Sequence, residues 1–402
     1  MQYDVLVVGG GPAGAAAAWH LASVGVRVLV LEARPVPRRK VCAGAVSQKA
    51  VRLLQSWGID ITPVVEGSMV EIAFFYRYRH PAVLRHRQPY ALNVCRDKCD
   101  QYLLQQAEQA GAAVRTGCPV RSVRLEADRA SVTCAQGDSY QAQVVVGADG
   151  ANSAVRRAMG LGRLGQMGMG AEALLPYESL SGHAWDRLTG LQTTALIDYG
   201  IIPFGYGWIF PKRDHLNVGL GTFRHCRLPL KELLTRHCQA RFPGLNLDLP
   251  LRGHPIPLYR PPIQGKRALL VGDAGGIVDP LVGEGIYYAL RSGELAAQAV
   301  SAGLTTGRLE GFRDYERAVA SEIIAEFRAA SLLASLLYYA TAVMHYHLVR
   351  KLRIVEQMLT VICGDLTYRQ FCSWVLRNMP RELLRSAPAM TEQAFWSAGR
   401  IN

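Results

Sequence analysis

The sequence predicts an α/β fold (α+β overall): a Rossmann-like nucleotide-binding domain, a discontinuous antiparallel-sheet domain and a C-terminal helical region. Three observations predict it. An apolar strand at the N-terminus runs into a glycine turn and an alanine-rich helix; two later apolar strands each end in a glycine-acid pair; and the tracts between them alternate polar and apolar residues. With 402 residues, 50% of them hydrophobic, the chain can bury a large core in two or three lobes, which argues against disorder.

The first element is "YDVLVVGGGPAGAAAAWHLASVGVRVLVLEA". Val5 to Val8 read as a buried parallel strand, Gly9-x-Gly11-x-x-Gly14 as the turn, and Val28 to Leu31 as the second strand, closed by Glu32. The glycines permit a tight turn and let a pyrophosphate approach backbone N–H groups at a helix N-terminus. Glu32 is placed to accept from a ribose hydroxyl, and its charge repels a 2'-phosphate. Strand, helix, second strand and terminal acid together make this a dinucleotide site, without choosing between NAD and FAD.

Two later elements supply that choice. "QAQVVVGADGANSAVRRAMG" (141–160) is a strand running into Asp149-Gly150. "GKRALLVGDAGGIVDPLVGEGIYYALRSGELAAQAV" (265–300) is a strand, Gly272-Asp273, a glycine-rich loop and a helix beginning near Gly285. Each acid ends a strand at the carboxyl edge of a sheet, where it can hold ribose or ribitol hydroxyls. The helix can aim its N–H dipoles at an electron-rich ring.

Residues 68–92 ("SMVEIAFFYRYRHPAVLRHRQPYAL") and about 169–264 carry strand-like alternation rich in β-branched and aromatic residues. They predict an antiparallel sheet that roofs the nucleotide lobe, with Phe204, Tyr206, Trp208 and Phe210 lining an apolar slot. The expected division is 1–67, 93–168 and 265–303 for the nucleotide-binding domain, 68–92 and 169–264 for the substrate domain, and 304–402 for the helical region.

Composition narrows the setting. Nine cysteines without a repeated metal spacing point to a reducing compartment rather than a disulfide framework or zinc site. The Cys95/Cys99 pair and His237-Cys238 are read as incidental, so no metal is expected. The first residues enter a strand directly, with no signal-peptide pattern, and the expected location is cytoplasmic. The net charge of +13 is scattered, without the tail or aromatic-basic repeat of a nucleic-acid binder, and so favours an anionic membrane surface or a phosphorylated substrate.

In the order GxGxxG, GADG, GDA, the chain resembles the two-domain FAD oxidoreductases of the aromatic-hydroxylase and geranylgeranyl-reductase superfamily over residues 5 to about 300. Within it, "PRRKVCAGAVS" and "YGWIFPKRDHLNVGLG" (206–221) are similar to the geranylgeranyl reductase branch, whose members reduce isolated alkenes of polyprenyl chains. The resemblance implies an FAD-binding domain in which Cys42 faces the isoalloxazine and the prenyl pocket, with Ala43, Gly44 and Ala45 leaving room for the ring. It further implies cofactor contacts from Gly9, Gly11, Ala13, Gly14, Glu32, Arg96, Val120, Asp149, Asp273, Gly285 and Ile286. Asp100 is expected only to cap or pair. Lys40, Arg39 or Arg38 is a candidate to activate the thiol or to bind a diphosphate head.

The chemistry implied is hydride delivery from reduced flavin to one alkene carbon and a proton to the other, with Cys42, Tyr206 or water as its source. No second complete GxGxxG unit is present, so the reductant is NAD(P)H bound transiently or a ferredoxin-like donor. Burying a twenty-carbon prenyl chain is worth roughly 16 kcal/mol gross, so such substrates reside in bilayers and the enzyme must reach them. Ala329 to Val349 is a 21-residue run without Lys, Arg, Asp or Glu. It is long enough to span a bilayer, but it is read as a helical lid or interfacial helix giving peripheral contact at the inner membrane face. Three other activities share the flavin motifs: a monooxygenase or halogenase, an electron carrier to quinone, and a lipid binder with structural flavin. Cys363 and Cys372 alone cannot build an iron-sulfur site for the second.

Overall fold

A computed structural model describes residues 2–162, 164, 167–180, 191–245, 251–259, 261–309 and 311–384. The last part of the expected helical region, 385–402, lies outside the described residues, as do 181–190, 246–250 and 260 of the expected substrate domain.

The strand Val5–Val8 is wholly buried because it is an interior strand of a six-stranded sheet. It pairs in parallel with Val28–Leu31 on one side and Val144–Gly147 on the other. Ala113–Arg115 and Ala268–Leu270 extend the sheet in parallel, and Gln264–Gly265 closes one edge as an antiparallel hairpin. Four consecutive apolar residues per strand suit a sheet covered on both faces. The chain leaves Val5–Val8 toward Val28–Leu31 and later returns on its other flank, so the carboxyl ends of these strands border the crevice where ligands of such sheets bind.

The alanine helix Pro12–Ser23 starts at Gly11, with Pro12 at its first position where a missing N–H costs nothing. Its small side chains allow close packing against Ile286–Thr306: a Cβ on Gly293 would lie 2.4 Å from the Ala13 carbonyl oxygen.

The second large sheet has seven strands in the order Arg252–Pro257, Met167–Pro176, His215–Thr222, Gly205–Pro211, Thr194–Tyr199, Glu71–Tyr76, Arg79–Arg85. It is antiparallel except where Thr194–Tyr199 runs parallel to Glu71–Tyr76. The two strands of that one parallel pair are joined through a long connection rather than a hairpin, which frees their relative direction. A smaller sheet of Ala45–Ser47, Ala91–Val94 and Val65–Met69 links the lobes.

Two further expectations change. Cys118 and Cys134 form a disulfide, although cysteine spacing argued for free thiols. The bond joins the segment preceding Val120–Leu125 to its antiparallel partner Ala130–Cys134, a juxtaposition made by the hairpin and not by sequence spacing. The uncharged run 329–349 is not one helix. Ala325–Tyr339 ends at Ala340, and the axis turns by 103° before Thr341–His347. Among the described residues no single helix is long and apolar enough to cross a membrane.

Candidate active site

One cavity of about 1150 Å³ begins at the glycine turn and ends among the C-terminal helices. Gly9, Gly11, Ala13, Glu32, Cys42, Ala43, Ala45, Arg96, Val120, Asp149, Asp273, Gly285 and Ile286 all line it, as do Tyr206 and Trp208. Gly14 lies behind the wall: a Cβ there would stand 1.9 Å from the Gly9 carbonyl oxygen.

At the glycine turn the backbone itself faces the cavity. Gly9 has φ +105°, and a Cβ on it would meet the Ala148 carbonyl oxygen at 2.3 Å. Only glycine accommodates both demands. Glu32 Oε2 accepts the Gly10 N–H at 2.8 Å, while Oε1 accepts the Arg34 N–H and pairs with Arg38 at 2.9 Å. An ionised carboxylate has about four acceptor sites, so one remains for a ligand hydroxyl.

Arg38 also reaches Asp100 at 3.1 Å, and Asp100 holds Arg96 through two bonds of 2.7 and 2.8 Å. The pairing expected of Asp100 therefore fixes two cations along the cavity. Lys40 is engaged by Asp273 at 3.4 Å and by His254 at 2.5 Å. Burial lowers its pKa, with Asp273 opposing.

Asp149 differs from a simple ligand acid. Its Oδ2 accepts from the N–H groups of Ala154 and Val155 in the first turn of the helix Ala154–Ala158, which Ser153 caps, while Oδ1 is buried without a hydrogen-bond partner among the described residues. Burial raises its pKa. The orphaned oxygen, the glycine cradle and the spare acceptor site of Glu32 all suit a polyhydroxylated dinucleotide such as FAD.

Cys42 sits where the nucleotide end meets the apolar end. Gly44, with φ +70°, makes the loop turn tightly: a Cβ there would lie 2.2 Å from the Val94 carbonyl oxygen. The loop is fastened by side chains from the seven-stranded sheet and its turn. Glu172 Oε2 accepts the Cys42 N–H at 2.9 Å, and Asn217 Nδ2 donates to Cys42 O at 3.2 Å. Lys212 Nζ donates to Ala43 O, Gly44 O and Asn93 Oδ1 at 2.7, 3.2 and 3.1 Å. Burial brings Lys212 down to about 8 and also raises the Glu172 pKa, against its bonds from Asn217 and the Cys42 N–H.

Beyond Cys42 the wall is apolar. Ile72, Phe74, Ile197, Tyr199, Phe210 and Phe223 come from the sheet side; Leu333, Leu337, Ile354, Met358 and Leu359 come from the helices. Tyr206 donates its hydroxyl to the Val282 carbonyl at 2.6 Å, and Trp208 donates its indole N–H to Asn217 Oδ1 at 2.7 Å. Phe204 does not line the cavity as expected. It has φ +50° and packs edge-on against Tyr339 with Arg224 over its ring, because the bend before Gly205 turns it away from its neighbours.

Residues 2–181 match the family model of an FAD binding domain. A geranylgeranyl diphosphate reductase from Rhodobacter capsulatus is 31% identical over 323 residues, which are 77% of each chain. The chain belongs to the geranylgeranyl reductase family of FAD-dependent oxidoreductases. A digeranylgeranylglycerophospholipid reductase from Thermoplasma volcanium is also 31% identical, over 74% of this reductase-family chain and 77% of the relative. A geranylgeranyl bacteriochlorophyll reductase-like structure from Thermoplasma acidophilum superposes with a TM-score of 0.71 at 22% identity, covering 98% of this chain and 95% of that one. Flavin-dependent halogenases share the fold too, so fold alone does not separate reduction from halogenation.

Sequence reasoning about this reductase-family chain missed Glu172, Asn217, Lys212 and Asn93. One signal was present: Glu172 is a lone acid in the otherwise apolar strand "MGMGAEALLP". An isolated charge in a buried strand needs a partner. Lys212 and Asn217 lay inside the stretch already singled out, but their partner loop is some 170 residues away in the chain, at separations of 169 and 175.

Proposed function

We propose that this protein reduces isolated C=C bonds of a polyprenyl, geranylgeranyl-type chain. The observation that carries this reading is one cavity that is polar and glycine-lined at one end and aromatic and aliphatic at the other, with Cys42 between. Residues 1–67, 93–168 and 265–303 serve the cofactor, 68–92 and 169–264 roof the substrate, and the region 304–402 supplies the far end of its tunnel through the helices between Leu333 and Val375.

Gly9, Gly11, Ala13 and Gly14 provide the cradle for the cofactor's pyrophosphate; Glu32 and Val120 face its adenosine half. Arg96, Asp149 and Asp273 serve its phosphate and ribityl side, and Ala43, Ala45, Gly285 and Ile286 border its ring. Reduced FAD supplies hydride to one alkene carbon. The chain's own task is placement and a proton, because an isolated alkene offers no carbonyl to polarise.

Tyr206 is poorly suited as the acid. Its proton is committed to Val282 O, and burial raises its pKa. Tyr206 and Trp208 instead hold the chain, and Cys42 delivers the proton to the second alkene carbon and recovers it from water. NAD(P)H or a ferredoxin-like protein supplies the electrons.

The protein works as a peripheral partner of the membrane's inner face. Leu332, Leu336, Tyr339 and Val343 are 59%, 51%, 69% and 53% exposed. The first three recur at helical spacing on one face of Ala325–Tyr339. Leu336 also lines the cavity, which marks where the tunnel meets the surface. From Phe327 to Val355 the chain has four cations and no acid, a balance suited to anionic lipid. The activity is tested by reducing the yellow protein anaerobically, adding geranylgeranyl compounds, and following flavin reoxidation together with product mass. Products that gain hydrogen support reduction; products that gain oxygen or halogen contradict it.

A further inference from the structure

We infer that Asn217 is a positioning residue for the Cys42 thiol and couples it to the cavity wall at Trp208. The inference rests on the reading that Cys42 acts in alkene reduction.

Hydrogen-bond chemistry fixes the orientation of the Asn217 amide. An indole N–H can only donate, so the Asn217 atom 2.7 Å from Trp208 Nε1 is the carbonyl oxygen. The NH2 group then faces the opposite way, toward two acceptors: Glu172 Oε2 at 3.0 Å and the Cys42 carbonyl at 3.2 Å. Glu172 Oε2 also takes the Cys42 N–H at 2.9 Å, so the residue is gripped at both its backbone N–H and its carbonyl. Asn217 and Glu172 are 3% and 2% exposed, and there is little water to replace either bond.

The chain of contacts runs from the wall to the thiol. Trp208 and Cys42 line the cavity, whereas Asn217 and Glu172 do not. They belong to the seven-stranded sheet, and Cys42 belongs to the segment that follows the second nucleotide-lobe strand. Within the loop, the Gly44 N–H points at Cys42 Sγ from 3.4 Å. Three constraints therefore define where the sulfur sits: Glu172 and Asn217 on the backbone, and Gly44 on the thiol. A shift of about 1 Å at a reacting group can cost on the order of a hundredfold in rate, which gives such a brace its purpose.

The test is a double-mutant cycle of Asn217→Asp and Cys42→Ser in the FAD-loaded protein with geranylgeranyl diphosphate. Asn217→Asp is isosteric and keeps the acceptor for Trp208, but it turns an oxygen toward the Glu172 carboxylate and the Cys42 carbonyl. Alone it should lower kcat at least tenfold, change KM less than threefold, leave flavin content unchanged, and alter the rate of thiol alkylation at Cys42. In the Cys42→Ser background the same change should have less than a twofold effect. Asn217→Ser, which removes the brace without adding charge, serves if the aspartate does not fold and should behave likewise. An undiminished tenfold effect without the thiol overturns the inference while leaving the role of Cys42 intact. Unchanged turnover in Cys42→Ser alone overturns the role of Cys42, and the inference with it.

Discussion

Lys49 and Glu284 form an ion pair of 2.6 Å at the edge of the cavity, with side chains only 12% and 10% exposed. The two residues lie far apart in the chain, at the start of one helix and just before Ile286–Thr306, and the lysine also lies over the rings of Tyr287 and Tyr288. Burial alone lowers a lysine pKa, but Glu284 and Tyr288 outweigh it and raise that of Lys49. Burial also raises the pKa of Glu284, with Lys49 opposing it, and the contact ties the helix Gln48–Ser56 to the turn before Ile286–Thr306.

Removing one partner of a buried pair strands the other charge, at a cost of about 3 to 5 kcal/mol. Lys49→Met should therefore destabilise the protein by that order in chemical denaturation. Lys49→Met with Glu284→Leu should recover most of the loss. A single variant as stable as the parent would show that the pair is solvated.

Lys212 gives a pH signature. Its folded pKa of about 8 lies below the ordinary lysine value of 10.5 because of burial. Between those values the unfolded chain binds the extra proton, so the contribution to stability rises with pH across the window; below it the full cost of burying the charge is present. The unfolding free energy of the parent minus that of Lys212→Met should increase by about 1 to 2 kcal/mol from pH 8 to pH 9.5. A difference independent of pH would place the ammonium in contact with water.

These two lysines show where the sequence was legible and where it was not. The nucleotide lobe could be read because its signals are local: strand, glycine turn, helix, strand and acid follow within about thirty residues. Cys42 stood out by its small neighbours, and Tyr206 and Trp208 by alternation. The roles of Lys49, Lys212 and Asn217 could not be read because each takes its meaning from a partner more than a hundred residues distant, and Glu172 announced itself only as a lone acid in an apolar strand. The elbow at Ala340 was hidden for another reason: hydropathy counts apolar residues along 329–349 but does not report a change of direction. Phe204 was misplaced because simple alternation assumed a straight strand through a residue of positive φ.

The glycine cradle makes a direct prediction. Gly9→Ala combines a disfavoured φ with a methyl 2.3 Å from a carbonyl oxygen, so the turn must move. The purified variant should keep its far-ultraviolet circular dichroism but lose the flavin absorbance band. A yellow Gly9→Ala protein with normal FAD content would place the cofactor elsewhere.

The exposed elbow predicts lipid dependence. The parent should co-sediment with vesicles containing phosphatidylglycerol and bind phosphatidylcholine vesicles less. Leu336→Glu with Val343→Glu should weaken binding at least tenfold and raise KM for a membrane-borne polyprenyl substrate, with little change for a short, soluble analogue. Equal sedimentation of parent and variant would remove the elbow from membrane contact.

The proposed reaction is hydride transfer to an isolated alkene in the tunnel beside Cys42. The most direct measurement is a single anaerobic turnover with prereduced protein and geranylgeranyl diphosphate, read by flavin absorbance and by mass spectrometry of the product. Reoxidation of the flavin should be matched by a product carrying two more hydrogens for each alkene reduced. Flavin that stays reduced in the presence of every polyprenyl compound offered, or a product bearing new oxygen, would contradict it.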